Sequence, residues 1–180
     1  TMSQLQCNSI VPIGGIPAGA NGGGIIQCVQ TLKTNSFSAT STGNANWTDI
    51  TGMSATITPR STSNKILVMY TIYSSHSVNG NYGHNTRLLR GATPIGVGDL
   101  SGSIPQGTTA CVNPYSSVTM PETQIILDSP ATTSSTTYKV QFMSEGTTTT
   151  YYVNIPGSTS TLDGRSSTVV SHITLMEISG

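Results

Sequence analysis

Apolar residues in this chain come in short runs, most of them alternating with hydroxyl or amide side chains. Ile25-Ile26-Gln27-Cys28-Val29-Gln30-Thr31-Leu32 is the first such run, and Ser36–Thr40 is a shorter one. Thr51–Thr58 places Met53, Ala55 and Ile57 on one face, and Pro59 stops it. Alternation with period two is the mark of a half-buried strand. Lys65–Tyr73 is apolar on both faces at its start, which predicts a central strand covered on two sides. Asn85–Arg90 is followed by Gly91-Ala92-Thr93-Pro94 and then Ile95-Gly96-Val97-Gly98, which reads as a hairpin. Further runs are Thr123–Asp128, stopped by Ser129-Pro130, and Thr137–Met143, with Tyr138, Val140 and Phe142 inward. Tyr151–Ile155 and Ser167–Ile178 complete the pattern.

Between these runs lie polar or irregular stretches, Ser41–Asn46, Ser74–Gly83 and 98–118, which read as loops. No stretch carries a convincing helical period. About eight to ten short strands with frequent turn signals predict an all-β fold, an antiparallel β-sandwich of jelly-roll type. The first and last runs are both apolar and are expected to pair near the centre, bringing the domain ends together.

Residues 1–24 have no such pattern. Val11–Gly24 holds two Pro and six Gly, so the segment cannot bury a face alone and reads as an extended arm or linker. The expected organisation is an N-terminal arm over 1–24 and one domain over 25–180.

Composition narrows the function. The 180 residues include 25 Ser and 29 Thr, against 7 Lys+Arg and 7 Asp+Glu. Net charge is zero and mean hydropathy is −0.04. Few groups titrate near neutral pH, which points away from acid–base catalysis. Seven scattered cations make no basic patch, which argues against nucleic acid and anionic membranes as partners. No run reaches the ~20 apolar residues of a membrane span. A neutral surface favours self-association. Cys7, Cys28 and Cys111 are odd in number and show no C-x-x-C spacing. Cys28 is expected buried and reduced, although a Cys7–Cys28 disulfide is conceivable.

The candidate chemistry is sparse. His76 and His84 fall in one predicted loop with no carboxylate nearer in sequence than Asp99, so no metal site is expected and both read as exposed. His172 reads as a partly buried sheet residue. No G-x-S-x-G stands in the chain. Asp99 with Glu122, or Glu145 with Asp163, would have to converge for a glycosidase, and nothing in their spacing favours it. No enzyme and no cofactor is expected. Arg87 and Arg90, three apart in a strand, point to opposite faces; Arg87 could make a trimer-axis or inter-subunit pair, with Asp99 or Glu122 as candidate partners. Trp47 is either an anchor closing the edge of the core or a platform for a sugar ring. Tyr82 and Tyr115 stand among Asn, Gly and Ser, the chemistry of adaptable recognition loops. Trp47, His76, Tyr82, His84 and Tyr115 are therefore the candidate surface-recognition residues.

Three stretches in order carry a resemblance: Ile25–Thr34 (IIQCVQTLKT), Trp47–Lys65 (WTDITGMSATITPRSTSNK) and Thr168–Ile178 (TVVSHITLMEI). Leu88-Leu89-Arg90-Gly91 with Pro94-Ile95-Gly96 falls between them. Over about residues 25–180 the chain resembles the β-sandwich domains of tailed-bacteriophage virion proteins, particularly those of phages of aquatic bacteria such as cyanobacteria. The resemblance implies a homotrimeric knob on the surface of a virion, with other capsid or tail proteins as partners. Its role would be capsid decoration, head fibre or tail-fibre tip, with host attachment through a surface glycan as one task. A soluble carbohydrate-binding module is the alternative.

Overall fold

The computed structural model describes residues 24–40, 46–80, 82–144, 149–158 and 166–180. The arm predicted over 1–24 lies, apart from Gly24, outside the described residues. The strands are β1 (Ile25–Lys33), β2 (Phe37–Thr40), β3 (Thr48–Ile57), β4 (Lys65–His76), β5 (Tyr82–Arg90) and β6 (Thr93–Ile95). They continue as β7 (Thr109–Asn113), β8 (Met120–Asp128), β9 (Thr136–Ser144), β10 (Thr150–Val153) and β11 (Ser171–Ile178). Among the described residues none is helical. The fold is the all-β antiparallel sandwich that the alternating runs predict.

One sheet has six strands in the order β1-β11-β4-β10-β2, with β8 also pairing with β4. The other has five, β3-β9-β5-β6, with β7 also pairing with β5. β4 is central but not covered on both faces as expected: β8 runs along one edge, and β11 and then β10 along the other. Its inward residues Ile66, Val68, Tyr70 and Ile72 are fully buried, while the opposite face is only half-covered. These residues, with Ile173 and Leu175, meet Met53, Ala55, Ile57, Leu88, Tyr138, Val140 and Phe142 in a single core. Phe142 and Tyr151 stack with ring centroids 4.4 Å apart, an arrangement contributing about 1 kcal/mol beyond area burial.

The first and last strands pair as expected, but at the edge of the sheet rather than near its centre, because β1 has β11 as its one paired neighbour among the described strands. β1 runs antiparallel to β11 from Ile25↔Ile178 to Lys33↔Ser171, and Ser179 N donates to Gly24 O at 3.0 Å. At the other end of this pair Asn154 fixes three elements. Its Nδ2 donates to the carbonyls of Lys33 (2.6 Å) and Asn35 (3.0 Å), its Oδ1 accepts from Ser171 Oγ (2.6 Å), and its N donates to Tyr73 O (2.9 Å). Asn154 has φ 67°, a left-handed conformation that asparagine tolerates better than other side chains.

Three expectations are corrected. The loop expected over Ser74–Gly83 is much shorter, because β4 continues to His76 and β5 begins at Tyr82. The irregular stretch 98–118 contains β7, whose Thr109–Asn113 completes the ladder beside β5. Cys28 is exposed, because a bulge between Ile25 and Gln27 turns it to the outer face of the six-stranded sheet; Cys28 and Cys111 are both free thiols. Cys7 lies outside the described residues.

Candidate functional site

β8 reverses the usual polarity of a strand. Its outward residues are Ile125 and Leu127, and its inward residues are Glu122, Gln124, Ile126 and Asp128. The two carboxylates reach across to the other sheet. Asp128 receives two hydrogen bonds of 2.9 Å from Arg90 Nη1 and one of 2.7 Å from Tyr138 OH. Glu122 is 5 % exposed and sits in a polar nest. Oε1 lies 2.8 Å from His84 Nε2 and accepts from Ser74 Oγ at 2.7 Å; Oε2 accepts from Thr109 Oγ1 at 2.8 Å. Thr86 hydroxyl and Tyr151 OH stand further off, at 3.4 and 3.5 Å.

The electrostatics follow from burial and these contacts. Burial alone would depress His84, but the Cys111 side chain and the Glu122 carboxylate outweigh it and raise its pKa to about 9. Burial pushes Glu122 up, and the donors around it, His84 first, bring it below its ordinary value. The pair is therefore an ion pair at neutral pH. His76 packs edge-on to His84, ring centroids 6.4 Å apart. Burial lowers its pKa, with backbone groups of Asn113 and Val78 partly offsetting the shift.

Ser74, His84 and Glu122 are the residue types of a hydrolytic triad, but the geometry differs. In a triad the carboxylate and the nucleophile occupy opposite nitrogens of the imidazole. Here Ser74 Oγ (2.9 Å) and Glu122 Oε1 both contact Nε2, and all three side chains are closed off from solvent. What this arrangement does is join β4 and β8 of one sheet to β5 of the other. Among the described residues no group of three His, Cys, Asp or Glu has the geometry to hold a metal ion.

The two outer faces differ in chemistry. That of the six-stranded sheet aligns Leu127, Leu67, Met176 and Cys28 in one row across β8, β4, β11 and β1, and Ile125, Met69, Thr174 and Gln30 in the next. Ile125 is 63 % exposed and Leu127 54 %, with Ile25 and Leu32 similarly open on β1. Lys65 is the one formal charge on the described rows of this face.

The outer face of the five-stranded sheet is polar. Arg87 lies over the Trp47 ring, 4.4 Å from its centroid, and its Nε donates to Gln141 Oε1 at 2.8 Å. Gln141 Nε2 donates to Asp49 Oδ1 at 2.6 Å, and Lys139 Nζ donates to Asp49 Oδ2 at 2.7 Å. Those bonds hold the Asp49 carboxyl below its ordinary pKa against a burial effect of opposite sign. Two residues before Arg87, Asn85 lines a cleft of about 300 Å³ together with Asp99, Ile104, Pro105, Gln106 and Thr108.

The five predicted recognition residues are thus dispersed. Tyr115 is exposed on the turn after β7, and Trp47 is half-buried beneath Arg87. Tyr82 opens β5 rather than lying in a loop. His76 and His84, expected exposed, are 1 % exposed: strand pairing carries them inward, where Glu122 holds His84. Within the chain Gln141 and Trp47 hold the Arg87 side chain, and Glu122 is taken up by His84. His172 is half-buried, as expected. The Asp49–Gln141–Arg87 row was not singled out from sequence, although Lys139 and Gln141 alternate visibly with Tyr138, Val140 and Phe142.

No protein-family model matches the chain, and no curated protein sequence matches it. Among solved structures it is similar to chains of infectious bursal disease virus. For the Gt strain the identity is 14 % over 85 % of this chain and 39 % of that one, with a TM-score of 0.37. For the Gx strain it is 17 % over 86 % and 42 %, at 0.34, and for the VP2 subviral particle 13 % over 85 % and 40 %, at 0.35. The chain spans about two-fifths of the length of those chains. Superpositions this loose carry no functional argument.

Proposed function

We propose that this chain is a non-enzymatic structural protein of a bacteriophage particle, and that its copies assemble as a trimer through the outer face of the six-stranded sheet. The observation that carries this reading is the apolar face of β8, β4, β11 and β1. Four strands at about 4.8 Å spacing and nine residues at about 3.3 Å give a whole face of roughly 570 Å², in which Thr71, Thr123, Thr174 and Gln30 stand among the apolar side chains. That whole face is close to the ~600 Å² per partner at the small end of specific interfaces. A face with one formal charge does not repel a copy of itself, and a monomer's largest apolar patch is often a functional one.

In this reading the arm of residues 1–24 docks the assembly to capsid or tail proteins. The turns at 77–80 and 98–108 face the environment at the virion surface. The sequence resemblance to tailed-phage virion domains supports the same assignment. Light scattering should give the mass of three copies, and a chain lacking residues 1–24 should fail to be incorporated into particles. A monomer at micromolar concentration would defeat the trimer.

A soluble carbohydrate-binding module is the second reading, favoured by the polar row around Trp47 and Arg87. It is monomeric, so the same mass measurement separates the two.

A further inference from the structure

The outer face of the five-stranded sheet has the ingredients of a ligand site that the assembly reading does not use. The cleft beside β5 is walled by the 98–108 segment. That wall is braced: Gly98 N donates to Gly107 O at 3.1 Å, Gln106 Nε2 to Gly98 O at 2.7 Å, and Thr108 N to Thr86 O at 2.7 Å. Gly107 lies so close to β5 that a Cβ there would stand 3.1 Å from Thr109 O and 3.3 Å from Thr86 O. The wall is therefore seated directly on the strand. It presents Asp99 and the apolar Ile104 and Pro105, with Asn85 on the strand side.

Asn85 and Arg87 point to the same side of β5, so the cleft continues into the row Arg87–Gln141–Asp49. From β3 to β7 this surface spans three strand spacings, about 14 Å. Its charges, Asp49, Lys139, Arg87 and Asp99, sum to zero. The Trp47, Arg87, Gln141, Asp49 and Lys139 side chains are held in place by one another. Fixed amide and carboxylate groups beside small apolar surfaces suit a ligand with many hydroxyls and C–H faces and no net charge.

The geometry points to this surface as a binding site for a neutral polysaccharide, with Asn85 and Asp99 bonding sugar hydroxyls and Ile104, Pro105 and the exposed part of Trp47 meeting ring faces. It rests on the reading above, in which the six-stranded face is buried among copies and the five-stranded face is left outward. The test is affinity electrophoresis of the full chain through gels containing laminarin, yeast mannan or dextran, with alginate as the acidic control. Light scattering is run on the same samples. Retardation is expected in at least one neutral gel. Asp99→Asn and Asn85→Ala should each lower the apparent affinity by about tenfold, as expected for losing one good hydrogen bond, with the mass unchanged. Migration unaffected by all three neutral gels overturns the site. So does retardation that both variants keep, or retardation by alginate alone. Monomers that still bind support the site and reject the trimer; trimers that do not bind do the reverse.

Discussion

His84 Nε2 and Glu122 Oε1, 2.8 Å apart and both shut away from solvent, tie the two sheets together across the core. The pairing makes stability depend on pH in a defined direction. His84 titrates at about 9 in the fold, against 6.5 for the free side chain. Its contribution is complete below pH 6.5 and disappears as pH rises through 9. The Glu122 pKa is lowered from 4.5, so its contribution is complete above pH 4.5 and disappears as pH falls through the folded value. The stabilisation supplied by this pair should be largest between pH 4.5 and 6.5 and fall on both sides, whereas His76, whose pKa burial lowers, favours the fold above pH 6.5. Calorimetry across pH 3–10 on the chain and on the His84→Leu, Glu122→Leu double variant isolates the pair; a difference in melting temperature as large at pH 10 as at pH 6 would contradict it.

Removing one partner should be worse than removing both. Glu122→Leu takes away the carboxylate that helps keep the His84 ring protonated and leaves Nε2 and the Ser74 and Thr109 hydroxyls without their acceptor, a loss of about 3–5 kcal/mol for a broken buried pair. His84→Leu with Glu122→Leu should recover part of that loss, because no buried imidazole is left without its partner. Urea denaturation of the two variants decides it; a double variant less stable than the single one would show that the ion pair itself is net stabilising.

Asn154 separates backbone strain from side-chain bonding. Asn154→Gly relieves the positive φ but loses the bonds to Lys33, Asn35 and Ser171, and should cost about 2 kcal/mol. Asn154→Ala loses the same bonds and keeps the strain, and should cost about 1 kcal/mol more. Equal losses in chemical denaturation would mean the backbone carries no strain there.

Leu127→Lys should dissociate the assembly and leave the domain folded. Leu127 faces outward, so the substitution should change monomer stability by less than about 0.5 kcal/mol. It also places a charge at the β8 end of the most apolar row. Light scattering should then give the monomer mass with an unchanged far-ultraviolet spectrum. A trimer that persists would move the interface elsewhere.

The sandwich was legible in sequence wherever a strand follows the rule of apolar residues inward. Thr137–Met143 is one such strand: Tyr138, Val140 and Phe142 are all in the core. β8 breaks the rule. Ile125 and Leu127 face out because the inward positions supply carboxylates to His84 and Arg90, and those partners are 38 residues away in the chain. The same contact explains the histidines. A Ser/Asn-rich stretch around His76 and His84 reads as loop until a buried acid is known to lie opposite. The cleft was illegible for another reason: it is made by a segment without periodicity, closed on β5 through backbone hydrogen bonds that leave no mark in side-chain pattern.

The pairing of Gly24 with Ser179 at one end of the β1–β11 ribbon has a mechanical consequence. Force applied between those two points loads the ribbon one rung at a time, so β1 peels from β11 at low tension. Force that enters at Gly24 and leaves at the opposite end of the sandwich runs along β1 and loads its rungs from Ile25 to Lys33 together. The domain is therefore a weak link when pulled between Gly24 and Ser179 and a strong one when held at Gly24 and pulled from its far tip.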